Sequence, residues 1–367
     1  MVKVGFVGWR GMVGSVLRQR MLEENDFQGL KPLFFSTSQV GQKGPEIGME
    51  VPELADAFDI KTLSSLDAIV TCQGGDYTKE VYPKLRKEGW DGYWIDAASA
   101  LRMEKDSVIV LDPVNREVID EAFESGVKNY IGANCTVSLM LMGIGGLFKE
   151  NKVDWLTSMT YQSASGAGSK NMAELVEQMQ TISKATEGKK MPVLELDREV
   201  QETIENPDFP TENFTVPLAC NLIPWIDKEV EDGQSREEWK GSAETNKILN
   251  SKQQIPVDGI CVRVPAMRCH SQAITIKLKE EMELKEIENT IAKANEWVKV
   301  IPNNKEDSIR QLTPIAVSGK LTVPVGRIRH INNDASFVTL FTVGDQLLWG
   351  AAEPVRRMLQ IVLKKIS

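Results

Sequence analysis

Val2-Lys3-Val4-Gly5-Phe6-Val7 runs into Gly8-Trp9-Arg10-Gly11-Met12-Val13-Gly14, and then into Ser15-Val16-Leu17-Arg18-Gln19-Arg20-Met21-Leu22. The first six residues are a short apolar run that predicts a strand. Val13, Val16, Leu17 and Met21 recur at helical spacing, so the three glycines fall at a strand-to-helix corner. Backbone there must turn tightly and approach a pyrophosphate closely, at a helix N-terminus that favours anions. The spacing is G-x-x-G-x-x-G, not the commoner G-x-G-x-x-G. A glycine trio alone would fit any tight turn; its place between a strand and a helix makes it a nucleotide-loop signal.

Moving outward, strands are expected at residues 31–36, 67–72, 92–96, 107–111 and 129–133, with helices at about 77–88 and 115–125. That alternation predicts a doubly wound, mostly parallel sheet. Loops 71–76 and 96–102 should then lie at its carboxyl edge, where such folds bind ligands. The strand Lys31-Pro32-Leu33-Phe34-Phe35 ends in Ser36-Thr37-Ser38, without the acid that holds the ribose hydroxyls of NAD. Small hydroxyl residues together with Arg10 suit a 2′-phosphate, which favours NADP.

Gly132-Ala133-Asn134-Cys135-Thr136-Val137-Ser138-Leu139-Met140 reads as a strand end, a corner and an apolar helix. A cysteine in the first helical turn meets free N–H groups and the positive end of the helix dipole. Such a site lowers a thiol's pKa and can hold the oxyanion formed when sulfur adds to a carbonyl. The plainer alternative is a buried, inert cysteine.

Composition sets limits. A chain of 367 residues can build two cores, and a net charge of −9 without basic runs argues against a nucleic-acid partner. The five cysteines are scattered and only two histidines exist, so a structural metal site is not expected. No secretory signal and no bilayer-length apolar stretch are evident, so a reducing cytoplasm is the expected compartment.

From about residue 152 the pattern changes. A strand is expected at 153–162, then a helix with Met172, Leu175, Val176, Met179 and Ile182 on its buried face. Residues 187–215 read as a charged, proline-containing excursion. Strands follow at Gly259–Val264 and Ser271–Lys279, the second alternating apolar Ile274, Ile276 and Leu278 with polar neighbours. The segment from Asp345 should be helical, bent or restarted at Pro354. The chain thus divides into a nucleotide-binding domain, residues 1–133, and an α+β domain for catalysis, substrate binding and dimerisation, residues 134–354. A final helix at 355–367 should pack back on the first domain.

A cysteine nucleophile needs a base, and the choice lies between His270 and His330. His270 precedes the one-faced strand, whereas His330 sits in the charged run Arg327-Ile328-Arg329-His330 and reads as a solvated face. Cys72 reads as core, and Cys269 points away from whatever His270 faces. Cysteine plus NADP implies that a thiolate adds to an aldehyde, hydride leaves to nicotinamide, and an acceptor releases the acyl group. Water, CoA or phosphate would each serve, and nearby cations decide among them.

Several stretches together resemble the aspartate-β-semialdehyde dehydrogenase family, in the form typical of Gram-negative bacteria. They are residues 8–15, 34–39, 71–77, 134–136, 239–241 and 268–273, and the similarity runs from Met1 to the final helix. The resemblance implies reversible conversion of L-aspartyl 4-phosphate to L-aspartate 4-semialdehyde through a cysteine acyl-thioester. It also implies NADP as cofactor, phosphate as acyl acceptor, and a homodimer formed through the second domain. The pathways implied are those to lysine, methionine, threonine and diaminopimelate.

By position, Cys135 matches the nucleophile, His270 the acid/base, Gln162 the substrate-orienting residue, and Asn134 a neighbour of the oxyanion. Arg263 matches the ligand of the substrate carboxylate, Glu237 that of its ammonium, and Arg102 with Lys240 the phosphate pair. The cofactor contacts fall on Gly8, Arg10, Gly11, Met12, Val13, Gly14, Thr37, Ser38, Gln73, Ser165, Gly166, Pro192 and Gln346. Pro192 lies in a segment, 183–200, that is shorter than the family pattern. Related acyl-CoA or N-acetyl-glutamyl-phosphate reductases remain alternatives, although Glu237 does not suit an acylated, uncharged amine. A catalytically silent cofactor-binding scaffold is a third, disfavoured by the presence of nucleophile, base and cations together.

Overall fold

The computed structural model describes residues 1–366; Ser367, the end of the expected 355–367 helix, lies outside the described residues. Seven strands make the first sheet: β1 (Val2–Val7), β2 (Leu30–Ser36), β3 (Ala55–Asp56), β4 (Ala68–Thr71), β5 (Tyr93–Asp96), β6 (Ser107–Val110) and β7 (Asn129–Gly132). They lie in the order β3-β2-β1-β4-β5-β7-β6, and every pairing is parallel. Helices Met12–Glu23, Gly75–Lys87 and Asp112–Glu124 cross over between strands. Both faces of the sheet are covered, which is why β4 and β7 are buried along their whole length. The chain leaves β1 toward β2, then crosses back to place β4 on the other side. This switch point puts the glycine corner beside the loop after β4.

The second sheet contains β8 (Val153–Gln162), β9 (Val257–Asp258), β10 (Cys261–Arg263), β11 (His270–Leu278), β12 (Val298–Val300), β13 (Val323–Ile331) and β14 (Asp334–Gly344). Its order is β10-β8-β11-β14-β13-β12, with β9 also on β8. The central pairings are antiparallel and the outer ones parallel. The strand expected at 259–264 is shorter, Cys261–Arg263, and Gly259 separates it from β9; its Cα lies so close to the Ser158 backbone that no Cβ would fit. The helix Cys135–Lys149 joins the two sheets. Leu139, Met142 and Ile144 pack with Ile274, Ile276, Val325 and Leu340 of the second sheet, while Ile109, Leu111 and Ala133 join from the first.

After one π-helical turn at Leu348–Ala352, the last helix restarts at Glu353, so Pro354 falls where its missing N–H costs little. Its Val355, Met358, Leu359 and Val362 pack with Val4, Phe6, Leu17 and Met21. Arg20 and Arg356 both bond Glu353, and Arg356 also meets Asp26 at 2.6 Å.

Two expectations need correction. The 187–215 stretch contains a helix, Val193–Ile204, with Leu196, Val200 and Ile204 half-buried on one side and Val193 and Leu194 exposed. Its dense charges hid an apolar stripe of helical spacing. In the helix Ser169–Thr186, Leu175 is buried and Met172 and Ile182 pack beside it, but Val176 and Met179 are exposed. The inner face turns instead toward Glu174 and Gln178. Glu174 accepts the N–H groups of Asn213 and Phe214, and Gln178 those of Leu218 and Ala219. The irregular backbone of 213–219 needs those acceptors.

Candidate active site

β7 ends at Gly132, and the chain turns through Ala133 and Asn134 into the cysteine helix. Asn134 is the N-cap. Its Oδ1 accepts from the N–H groups of Thr136 (2.9 Å) and Val137 (3.2 Å), and its carbonyl accepts from Ser138. Its own N–H donates to Glu244 at 2.7 Å. In the first turn of the cysteine helix the N–H groups of Thr136, Val137 and Ser138 are all taken, while that of Cys135 finds no acceptor among the described residues. The free donor therefore belongs to the residue that carries the thiol, at the positive end of its helix.

Burial pushes the Cys135 thiol up to about 12 and Glu237 adds to the rise, while Arg263, Lys240 and Arg102 pull it down. The net direction is opposite to that expected from the helix start alone, because desolvation outweighs the cations. Glu237→Gln removes a negative neighbour, so it should speed alkylation of Cys135 by iodoacetamide near neutral pH severalfold. The measurement needs a Cys220→Ser background, since Cys220 is exposed and would consume reagent. Slower alkylation would contradict this electrostatic arrangement.

Glu237 is the hub. Its Oε1 accepts from Asn134 Nδ2 (2.9 Å) and Gln162 Nε2 (3.2 Å), and its Oε2 from Lys240 Nζ (2.9 Å). Burial opposes its charge, yet Lys240, Asn134 and Gln162 hold the carboxyl below its usual range. Lys240 also meets Asp227 at 2.9 Å. Arg102 is likewise engaged: it donates to the carbonyls of Gly132 (2.6 Å) and Ala133 (3.1 Å) and to Glu244 (3.1 Å). The two expected phosphate ligands are thus already partnered, Lys240 by two carboxylates and Arg102 by one and by backbone.

Arg263 differs. Its Nη1 donates to the Ser163 carbonyl at 2.8 Å, and among the described residues no carboxylate lies within ion-pair distance. A buried guanidinium without a counter-ion has the chemistry to receive a planar anion.

His270 opens β11, fully buried. The Ser163 N–H donates to its Nδ1 at 3.1 Å, with Ser163 Oγ 3.2 Å from the same atom. The neutral ring therefore carries its hydrogen on Nε2, which has no partner. Burial, reinforced by Arg263, pushes the ring down to about 3. The resting ring is a hydrogen-bond donor toward the site, so a base role requires the tautomer to change. A Cβ on Gly166 would lie 2.9 Å from Arg263 Nη1 and 3.0 Å from His270 Nε2, so glycine there lets both groups share one space. Ser165 receives a bond from Gln346, whose Oε1 accepts from the Cys269 N–H at 2.8 Å. His330 is half-buried, not simply solvated, and its Nε2 meets the Met282 carbonyl at 2.9 Å.

At the glycine corner Gly8 has φ +72°, and a Cβ there would lie 2.5 Å from the Gln73 nitrogen. Gly11 is the N-cap of the Met12–Glu23 helix, and Gly14 presses against the Gly8 carbonyl. Met12 and Val13 open that helix. Arg10 Nη2 donates to Ser36 Oγ at 2.8 Å, and the same oxygen accepts from the N–H groups of Ser38 and Gln39. Exposed Thr37, Ser38 and Gln73 flank this cradle. These residues fit a dinucleotide phosphate. Pro192 stands exposed at the N-cap of the Val193–Ile204 helix and takes no part in the bonds of the cysteine cluster.

Glu244, Ser163 and Asp227 did not emerge from the sequence. Glu244 had a signal: Glu237, Lys240 and Glu244 recur at i, i+3 and i+7 along the helix Arg236–Ile248, and all three are buried on one face.

A parallel nucleotide-type sheet joined through a cysteine helix to a second mixed sheet is the two-domain semialdehyde dehydrogenase fold. The family model for the semialdehyde dehydrogenase NAD binding domain matches residues 3–122, and that for the dimerisation domain residues 144–349. The chain is 51% identical to aspartate semialdehyde dehydrogenase from Francisella tularensis, with a TM-score of 0.96, over 99% of this chain and 100% of that one. The chain belongs to the semialdehyde dehydrogenase family, among the aspartate semialdehyde dehydrogenases. The fold is shared with aspartate semialdehyde dehydrogenase II from Vibrio cholerae complexed with ASA (23% identity, TM-score 0.81, 100% of this chain and 99% of that one). It is shared too with the Candida albicans enzyme with NADP (16% identity, TM-score 0.66, 99% of this chain and 98% of that one). No described helix is long and apolar enough to cross a membrane.

Proposed function

We propose that this chain is an NADP-dependent, phosphate-acylating dehydrogenase of L-aspartate 4-semialdehyde, working through a Cys135 acyl-thioester. The observation that carries the reading is the free Cys135 N–H beside a buried, unpaired Arg263 guanidinium. A thiol, an oxyanion donor and a carboxylate receptor are close enough for the Arg263 charge to act on the Cys135 sulfur. Arg263 takes the substrate carboxylate, and Glu237, rich in lone pairs, takes its ammonium. In the tautomer with its hydrogen on Nδ1, facing Ser163 Oγ, His270 takes the Cys135 proton on Nε2; the thiolate adds to the aldehyde carbon, and the new oxyanion is held by the Cys135 N–H and the His270 Nε2–H so formed. When bound, the nicotinamide supplies the hydride acceptor that turns this adduct into a thioester. A phosphate oxygen then attacks the thioester carbon, the C–S bond breaks, and the thiolate returns. Lys240 and Arg102 supply the positive field for that phosphate. The reverse direction would serve lysine, methionine, threonine and diaminopimelate synthesis, in a cytoplasmic homodimer.

Reduction of NADP by the semialdehyde should require phosphate. Turnover supported by CoA, or by water alone, would overturn the acceptor assignment.

The two anion jobs should separate in kinetics. A lysine cannot reproduce a bidentate guanidinium pair, so Arg263→Lys should raise the KM for semialdehyde tenfold or more (about 1.4 kcal/mol) with a smaller effect on phosphate. Lys240→Ala should act mainly on phosphate, at a cost of about 1.5–3 kcal/mol for a lost charged hydrogen bond. Unchanged phosphate dependence in the Lys240 variant would remove it from the acceptor site.

A further inference from the structure

We propose that Glu244 is a positioning residue for the nucleophile, acting through Arg102 and the Asn134 N–H. The inference rests on the thiol chemistry proposed above. Glu244 is 2% exposed and sits two turns beyond Glu237 on the same helix. Its Oε2 accepts the Asn134 N–H at 2.7 Å, and its Oε1 accepts Arg102 Nη1 at 3.1 Å. Arg102 Nη2 in turn donates to the Ala133 carbonyl at 3.1 Å. Ala133 C=O and Asn134 N–H are the two poles of a single peptide group. One ion pair therefore grips that peptide at both ends, and Arg102 Nε also holds the preceding carbonyl, Gly132, at 2.6 Å.

The consequence falls on the next residue. Glu244 and Arg102 hold the 133–134 peptide plane, and the Ser138 N–H on the Asn134 carbonyl (2.9 Å) holds the 134–135 peptide, so the Cys135 N–H is set from both sides of Asn134. The Asn134 N–H is itself consumed by a charge-assisted bond. Glu244 so selects which of two adjacent N–H groups is left to meet the substrate oxygen. It also ties a residue following β5 of the nucleotide sheet to the helix that carries Glu237 and Lys240. Without the carboxylate, Arg102 would stay buried with no counter-ion, and the peptide could rotate away from the productive geometry.

The test compares Glu244→Ala and Glu244→Gln with the parent enzyme. Melting temperature, semialdehyde KM and the rate constant of the first turnover after mixing are measured for each. Glu244→Ala should lose about tenfold to a hundredfold in first-turnover rate, as expected for a misdirected oxyanion donor, with the semialdehyde KM within threefold of the parent. Glu244→Gln is isosteric and keeps one acceptor for the Asn134 N–H, so it should recover part of that loss. A role confined to stability would lower the melting temperature and leave the first-turnover rate of the folded enzyme unchanged. The inference is overturned if the Ala variant, folded, keeps a first-turnover rate within threefold of the parent or shows its loss in KM, or, where the Ala variant does not fold, if the Gln variant is indistinguishable from the parent. Activity retained by Cys135→Ser would instead overturn the thiol reading, independently of Glu244.

Discussion

Cys135→Ser should keep the fold and its affinity for NADP while losing phosphate-dependent oxidation of the semialdehyde to the limit of detection. A serine hydroxyl ionises far less readily than a thiol and is the poorer nucleophile where no base is hydrogen-bonded to it. The substitution preserves size and leaves the Asn134 cap, the Glu237 hub and the free N–H at position 135 in place. The other cysteines offer no substitute: burial pushes Cys72, Cys261 and Cys269 up to about 12 as it does Cys135, but Arg263, Lys240 and Arg102 pull against the rise at Cys135 and at none of these, and Cys220 lies exposed. Full activity in the serine variant would end the thioester account.

His270→Ala should lower kcat by on the order of 10²–10⁴, with a small change in melting temperature. The ring's Nδ1 is occupied by the Ser163 N–H, and its Nε2–H is an unspent donor in a closed site. On the proposed mechanism, removing it takes away one of the two oxyanion donors, and it leaves the Ser163 N–H without its acceptor. Because the free ring titrates near 3, the enzyme should show no loss of activity through protonation of His270 between about pH 5 and 8. Falling pH in that range would act through the Cys135 thiol, whose ionised fraction shrinks. His330→Ala should be nearly silent, since its bond to the Met282 carbonyl is remote from this chemistry. Equal losses in the two histidine variants would show that the donor has been misassigned.

The nucleotide half was legible because of how parallel sheets are buried. Strands covered on both faces read as continuous apolar runs, and the corners between them carry glycine for reasons that sequence alone exposes. Gly8, with its left-handed φ and its backbone against Gln73, is such a case. The second half was harder. β11 announced itself by alternation, but β13 and β14 did not, although Asn332 and Asn333 both adopt positive φ at the hairpin between them. Polar residues that serve backbone, such as Glu174 and Gln178, also escaped, because their partners lie some forty residues away.

The site was legible where a residue type is chemically committed. Cys135 at a helix start and the histidine before a one-faced strand stood out without any partner in view. The pairing of Lys240 with two carboxylates, and of Arg102 with backbone and Glu244, was not legible, because a charge in sequence carries no record of its counter-ion. That distinction matters functionally: among the three cations, Arg263 alone is without a carboxylate partner among the described residues.

The most direct measurement mixes enzyme, NADP and L-aspartate 4-semialdehyde rapidly, without phosphate, and follows NADPH together with the mass of the Cys135 peptide. The account predicts a burst of NADPH no larger than the enzyme concentration, an acyl group on Cys135, and release of that group when phosphate is added. Steady NADPH formation without phosphate, or an acyl group on any other residue, would contradict it.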